Sequence, residues 1–158
     1  MLGKLIQTKA DAAPTILRVV LGVEFLIHGS QKVLGWWGGY GFSATLSGFE
    51  HSGIPAVLAV LAMVAEFCGG MGLIVGLLGR VAAFGIFCVM VVAAWMSRGN
   101  GLFMNWGGQQ KGEGMEYHLL ALAMTAAIMV MGSGAWSVDR WWWGKLEQTK
   151  PMRVDLKE

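Results

Sequence analysis

Charge is scarce in this chain. Only 14% of its 158 residues are Asp, Glu, Lys or Arg, where a soluble domain of this size carries about 25%. The net charge of +2 is small and scattered, which removes nucleic acid as a partner. Cysteine is equally rare. Cys68 and Cys88 are the two in the chain, both inside apolar runs. With no CxxC pair and no polar setting to form a thiolate, they read as small buried hydrophobes, neither a disulfide nor a redox couple. There is also no dinucleotide fingerprint, and no convincing metal set, so the chain brings no electron carrier of its own. Nothing resembles a cleavable signal peptide. The first apolar run starts near Ala12, reaches about 20 residues and lacks a small-residue cleavage site, so it reads as a retained span.

What the chain does contain is apolar length. Hydrophobic residues make up 55%, and they fall in four runs: about 15–36, 54–78, 81–96 and 116–131. A helix needs about 20 residues to cross about 30 Å of hydrocarbon. The predicted fold is therefore all-α, an integral membrane four-helix bundle forming one domain over 1–139. Runs three and four are short and need help from their flanks. Only "GLLGR" separates the second and third runs, so those helices lie antiparallel and adjacent. In this reading Gly79 makes the reversal and Arg80 sits at the headgroups.

Basic residues set the orientation. With the N-terminus in the cytoplasm, Lys4, Lys9, Arg18, Arg80, Arg140, Lys145, Lys150, Arg153 and Lys157 lie inside. Lys32, Arg98 and Lys111 lie outside. The positive-inside rule favours both termini in the cytoplasm. The first outer loop carries Phe42, Leu46 and Phe49 at helical spacing, which predicts a short interfacial helix. The second, "RGNGLFMNWGGQQKGEG", is expected to fold over the bundle mouth. Residues 140–158 read as an aromatic anchor and a polar cytoplasmic tail.

The stretch "LGVEFLIHGSQKVLG" breaks the apolar pattern. At about 100° per residue, Arg18, Glu24, His28 and Lys32 fall on one face of the first helix. Ionisable groups this deep face the bundle interior or a wet cavity, and they pair. Counting depth from the outer ends puts Glu24 level with Glu66. The expected layers are Glu24 with Glu66, His28 with His118, and Lys32 with Glu116, an ion pair. Arg18 is left alone to snorkel to the inner interface. The functional reading is a polar pocket open to the outer face, fit for a quinone headgroup or a proton relay. Against it stands a purely structural reading, in which the groups pair to fix helix register. His28 and His118 also have the placement of axial haem ligands, but two histidines more often read as satisfied buried imidazoles. No covalently bound cofactor is expected.

Three segments carry a family resemblance: "LRVVLGVEFLIHGSQKVLG", "AEFCGGMGLIVGLLGRVAA" and "EYHLLALAMTAAIMVMGSGAWSVD". Together they resemble the DoxX family of small four-span membrane proteins, from about Leu17 to Asp139. The matching positions are His28-Gly29 with Lys32, Glu66 followed by Gly69-Gly70 and Arg80, and the closing motif with Gly132, Gly134 and Asp139. That closing motif commonly reads Gly-Pro-Gly-Arg in the family; here Ser133 and Ala135 replace its proline and arginine. The resemblance implies a bacterial plasma membrane, multi-pass location and association with a redox complex. One branch resembles the membrane subunit of a thiosulfate:quinone oxidoreductase; another is linked to thiol and superoxide defence. The expectation is a quinone-linked subunit, not catalytic alone, with another membrane or membrane-associated redox protein as partner. The alternative is a non-catalytic accessory or anchoring subunit, with apolar surface free for lateral packing or oligomerisation. Transport is a weaker reading, since no inverted repeat is apparent.

Overall fold

The computed structural model describes residues 2–148. Those residues form seven α-helices: α1 (Leu2–Ile6), α2 (Ala12–Leu34), α3 (Gly41–His51), α4 (Ala56–Val75), α5 (Gly79–Ser97), α6 (Glu116–Met131) and α7 (Val138–Gln148). A single 3-10 turn, Arg98–Asn100, follows α5. Lys150, Arg153, Lys157 and the rest of the polar tail beyond 148 lie outside the described residues. The fold is the expected all-α bundle. α2, α4 and α5 with its 3-10 turn are long and apolar enough to cross a membrane. α6, at 16 residues, spans about 24 Å and is the short member.

The four long helices close into a ring: α2 packs on α4, α4 on α5, α5 on α6, and α6 back on α2. Each buries a narrow stripe at spacings of three and four, such as Ala59, Met63, Glu66, Gly70 and Leu73 on α4, the pattern of one helix face. The opposite faces expose Val57, Leu61, Val64, Phe84 and Val92. Apolar residues on both faces suit a helix packed inward and solvated by lipid outward.

The tightest crossing is α2 on α4. A Cβ added to Gly29 would stand 2.5 Å from the Phe67 backbone nitrogen, and one on Gly70 would stand 2.6 Å from that of Leu26. Backbone touches backbone there, as small residues permit in membranes. Its neighbour Gly69 serves another contact, facing Ala82 and Ile86 on α5 at ordinary distance. Gly29→Leu should force α2 off α4 and cost roughly 1–3 kcal/mol as overpacking. A thermal unfolding curve in detergent micelles checks this; an unshifted midpoint would refute the backbone contact.

The end carrying α1 and α7 differs from expectation. Arg18 does not snorkel. It is 1% exposed and donates to the carbonyls of Ser133 (2.7 Å), Leu73 (2.7 Å), Ile74, Ala135 and Trp136. Leu73 and Ile74 belong to the last turn of α4, where helical amides run out, although the Leu73 carbonyl also accepts from the Gly76 amide at 3.2 Å. A cation there answers both the free oxygens and the helix dipole, which holds Arg18 more firmly than the interface would. Arg80, at the same end of the bundle, is tied to carbonyls. It caps the end of α6 at the Met129 and Val130 carbonyls and reaches the Gln7 carbonyl of the N-terminal segment. Gly79 does not make the α4–α5 reversal. Gly76 (φ 70°) and Leu78 (φ 49°) take the left-handed conformation. Gly79 instead opens α5 and leaves room for Ser133, whose Oγ a Cβ would meet at 2.3 Å.

Asp139 completes this knot. It is 1% exposed and accepts from the Leu78 and Gly79 amides at 2.8 and 2.9 Å and from the Ser133 hydroxyl at 2.6 Å. A carboxylate from α7 thus caps the start of α5. It needs no arginine at position 135, because Ser133 and two amides occupy its oxygens. Gly132 (φ 83°) and Gly134 (φ 73°) bend the closing motif around the N-terminus of α2, where the Thr15 hydroxyl donates to Ala135. The segment 140–148, expected as an anchor and tail, continues α7 and packs on α1. α1 itself was not expected. Ile6 is nonetheless fully buried.

Candidate functional site

The opposite, loop-bearing half of the bundle holds the polar side chains. α2 presents Glu24, His28 and Lys32 at successive turns, a consequence of four-residue spacing. α4 supplies Glu66 from its buried stripe, and α6 supplies Tyr117 and His118 from its first turn.

Their pairing departs from depth counting. Lys32 contacts both carboxylate oxygens of Glu66, with Nζ–Oε1 at 2.5 Å. Glu66 is 3% exposed in this pair and Lys32 28%. Glu24 does not share the bundle centre with Glu66. It pairs instead with His28 on its own helix, Oε1 to Nε2 at 3.3 Å. Those two side chains are 47% and 43% exposed. The cause is stagger. α2 and α4 do not end level, and the crossing seats the Glu66 backbone against Gly29. Glu66 is thereby about a turn and a half beyond Glu24, within reach of the long Lys32 stem. Glu116, the expected partner of Lys32, accepts from the Met104 amide at 3.2 Å. Beside it Glu113 accepts from Asn105 at 2.8 Å. Glu116 therefore orders the α5–α6 loop and does not line the pocket.

Nor do His28 and His118 face one another directly. The ring of Tyr117 stands between them, edge-on to both, with centroids 6.3 Å from His28 and 5.7 Å from His118. Tyr117 is the residue that sequence reasoning missed; its only signal was adjacency to His118. Its hydroxyl is buried and faces Glu24 without reaching hydrogen-bond geometry. His118 Nδ1 is also buried, near the Gly114 carbonyl but again outside hydrogen-bond geometry. Buried polar atoms without partners are uncommon, because each forfeits about 1–3 kcal/mol.

These groups border a cavity of about 1060 Å³. His28, Lys32, Glu66, Tyr117 and His118 line its polar end; the remainder is apolar, with Phe25, Leu58, Phe84 and Met96 among its walls. Glu24 is outside it, behind His28 and the Tyr117 hydroxyl. Cys68 and Cys88 line it too. Both are free and exposed, against the expectation of burial, because they lie on the outward flanks of α4 and α5. His51, at the end of α3, is exposed and contacts the Ser47 carbonyl at 3.0 Å through Nδ1.

The DoxX family model matches residues 13–99, more than half of the chain. The chain belongs to the DoxX family. As a DoxX member with several apolar helices, it is a membrane protein and sits in the lipid bilayer. The match takes in Arg18, Glu24, His28, Gly29, Lys32, Glu66, Gly69, Gly70 and Arg80. It stops before α6 and the closing motif, so Tyr117, His118, Gly132, Gly134 and Asp139 join the DoxX segment through the fold. No curated protein and no solved structure matches the chain.

Proposed function

We propose that this DoxX chain is a bacterial plasma-membrane subunit of a redox complex, with both termini in the cytoplasm, and that its polar pocket binds a quinone or quinol. The observation that carries this reading is the grouping of the Lys32–Glu66 pair with the Tyr117 hydroxyl and His118 at one end of a largely apolar cavity. A quinone offers two carbonyl acceptors on an apolar ring. Lys32 and Tyr117 supply donors for them. Reduction to quinol takes up two electrons and two protons. The electrons come from a partner redox protein, since the chain has no carrier. One proton passes from His28, which Glu24 orients and re-protonates from its half-exposed position; the other leaves the Lys32–Glu66 pair, which holds it on the ammonium until Glu66 exchanges it with the headgroup. Glu24, His28 and Glu66 are thus the proton-exchanging groups, and Lys32 positions the ring.

Gentle purification from native membrane, with identification of bound proteins and lipid-soluble molecules, tests this directly. Quinone reduction by the recovered complex should fall on the order of 10²-fold in His28→Ala, the lower range for loss of a positioned acid–base group. A second reading has its own support. Glu24 and His28 are nearly half exposed on a membrane helix, where a covering protein would relieve the desolvation burden. This favours an accessory or anchoring subunit. It prevails if the purified chain binds no quinone and His28→Ala leaves the complex fully active.

A further inference from the structure

The cavity is not confined to the bundle axis. It begins at Lys32 and Glu66 and continues along the flank where α4 meets α5, as far as Leu77 and Val81. From Glu66 to Leu77 is eleven residues, about 16 Å of helix. Small side chains keep this groove open: Ala65 faces Gly85, and Gly69 faces Ala82. Cys68 stands on the α4 side and Cys88 on the α5 side, both exposed. Every ionisable group lining the cavity other than these thiols is gathered at the end with Lys32.

We infer that the occupant is an amphiphile with an uncharged polar head and one long hydrocarbon tail, reaching the site sideways from the bilayer with its tail along the α4–α5 groove. This rests on the reading of the polar end as a headgroup site. Three features carry it. The groove walls include the lipid-facing Leu61, Val64, Phe84 and Val92, so a tail can enter from the bilayer, while a plain hydrocarbon would leave the Tyr117 hydroxyl and His118 Nδ1 unsatisfied. Lys32 is already neutralised by Glu66, so the head end offers no free cation to a phosphate and suits a neutral ring. Finally, the cavity exceeds the roughly 300–1,000 Å³ that serves a whole drug-sized ligand, more room than a bare ring fills. For the quinone reading, this selects a long-tailed membrane quinone over a soluble one.

The two native thiols report on the groove. The purified chain is reconstituted in liposomes and alkylated with a membrane-permeant maleimide, using Cys68→Ser and Cys88→Ser to read each thiol alone. A benzoquinone with a long alkyl tail, at matched concentration in the membrane, should slow labelling of both thiols about tenfold. The same ring without a tail should leave labelling unchanged and bind at least about tenfold more weakly, a difference of 1.4 kcal/mol. Cys88→Trp, at an exposed position, should abolish that preference for the tailed ring. If both rings bind equally and neither protects the thiols, this inference falls while the pocket reading stands. If neither ring binds, both fall. Oxidative cross-linking of Cys68 or Cys88 between two chains, without protection by the tail, would put a second copy in the groove and overturn the inference.

Discussion

Lys32→Met is expected to destabilise the protein by about 3–5 kcal/mol, the usual penalty for stripping a buried ion of its partner. Glu66 is 3% exposed and lies on the buried stripe of α4, where Lys32 is its cation among the described residues. Without Lys32 the carboxylate must take up a proton or draw water into the crossing. The pair's net worth is another matter. Removing both charges leaves nothing to desolvate, and the α2–α4 crossing is still held by Gly29 and Gly70. The double variant Lys32→Met with Glu66→Leu should therefore regain most of the loss, as buried pairs exchanged for apolar residues often do. Binding should separate from stability. The single and the double variant should both lose quinone affinity, because both lack the ammonium donor. Thermal unfolding in micelles and a quinone titration on the same samples measure the two effects. A double variant as unstable as the single one would mean that the pair holds the helices together. A double variant that binds quinone normally would remove Lys32 from the site.

This contrast marks where the sequence stopped being informative. The spans were legible because a bilayer demands long apolar runs, and their ends were legible because glycines punctuate them. α6 starts and stops where the pattern does, at Glu116 and Met131. The inward turn of the charged face was legible for Arg18, Lys32 and Glu66, since charge facing lipid is costly. Who pairs with whom was not. Depth counting assumes that the loop ends of α2 and α4 are level, whereas contact at Gly29 and Gly70 fixes their offset. An offset of about a turn and a half takes Glu66 away from Glu24 and into reach of the Lys32 side chain. Tyr117 stayed hidden for a related reason. A tyrosine at the start of an apolar helix looks like an interface anchor until the neighbouring histidines are seen around it. α1 was too short to leave a periodic signature, and its burial depends on contacts with α7 far along the chain.

Arg18→Met should be the most damaging single change at the terminal end. Arg18 makes hydrogen bonds to five carbonyls with one planar fork. Methionine fills similar volume and supplies no donor. The Ile74 oxygen loses its cap, the Leu73 oxygen keeps only the Gly76 amide, and those of Ser133 and Trp136 lose the guanidinium. Each buried orphan costs about 1–3 kcal/mol. The values do not add fully, since the loop 132–137 can relax, but a loss above about 4 kcal/mol is expected, the range reserved for broken buried networks. Arg18→Lys should recover only a minor part, because one ammonium cannot span carbonyls on two separate segments. Arg98 provides the control. It also donates to a carbonyl, that of Trp95, and stacks on the same ring, but it is exposed and holds one segment to itself. Arg98→Ala should therefore unfold like the parent. The readout is the fraction that stays monodisperse after detergent extraction, followed along a temperature ramp. If Arg18→Met tracks Arg98→Ala, the carbonyl knot does not hold the bundle closed. If it collapses while Arg18→Lys survives in part, then an arginine buried in the leading span acts as the common cap of α4 and the closing motif, and the charge that looked stranded in the apolar sequence is what joins the two ends of the chain.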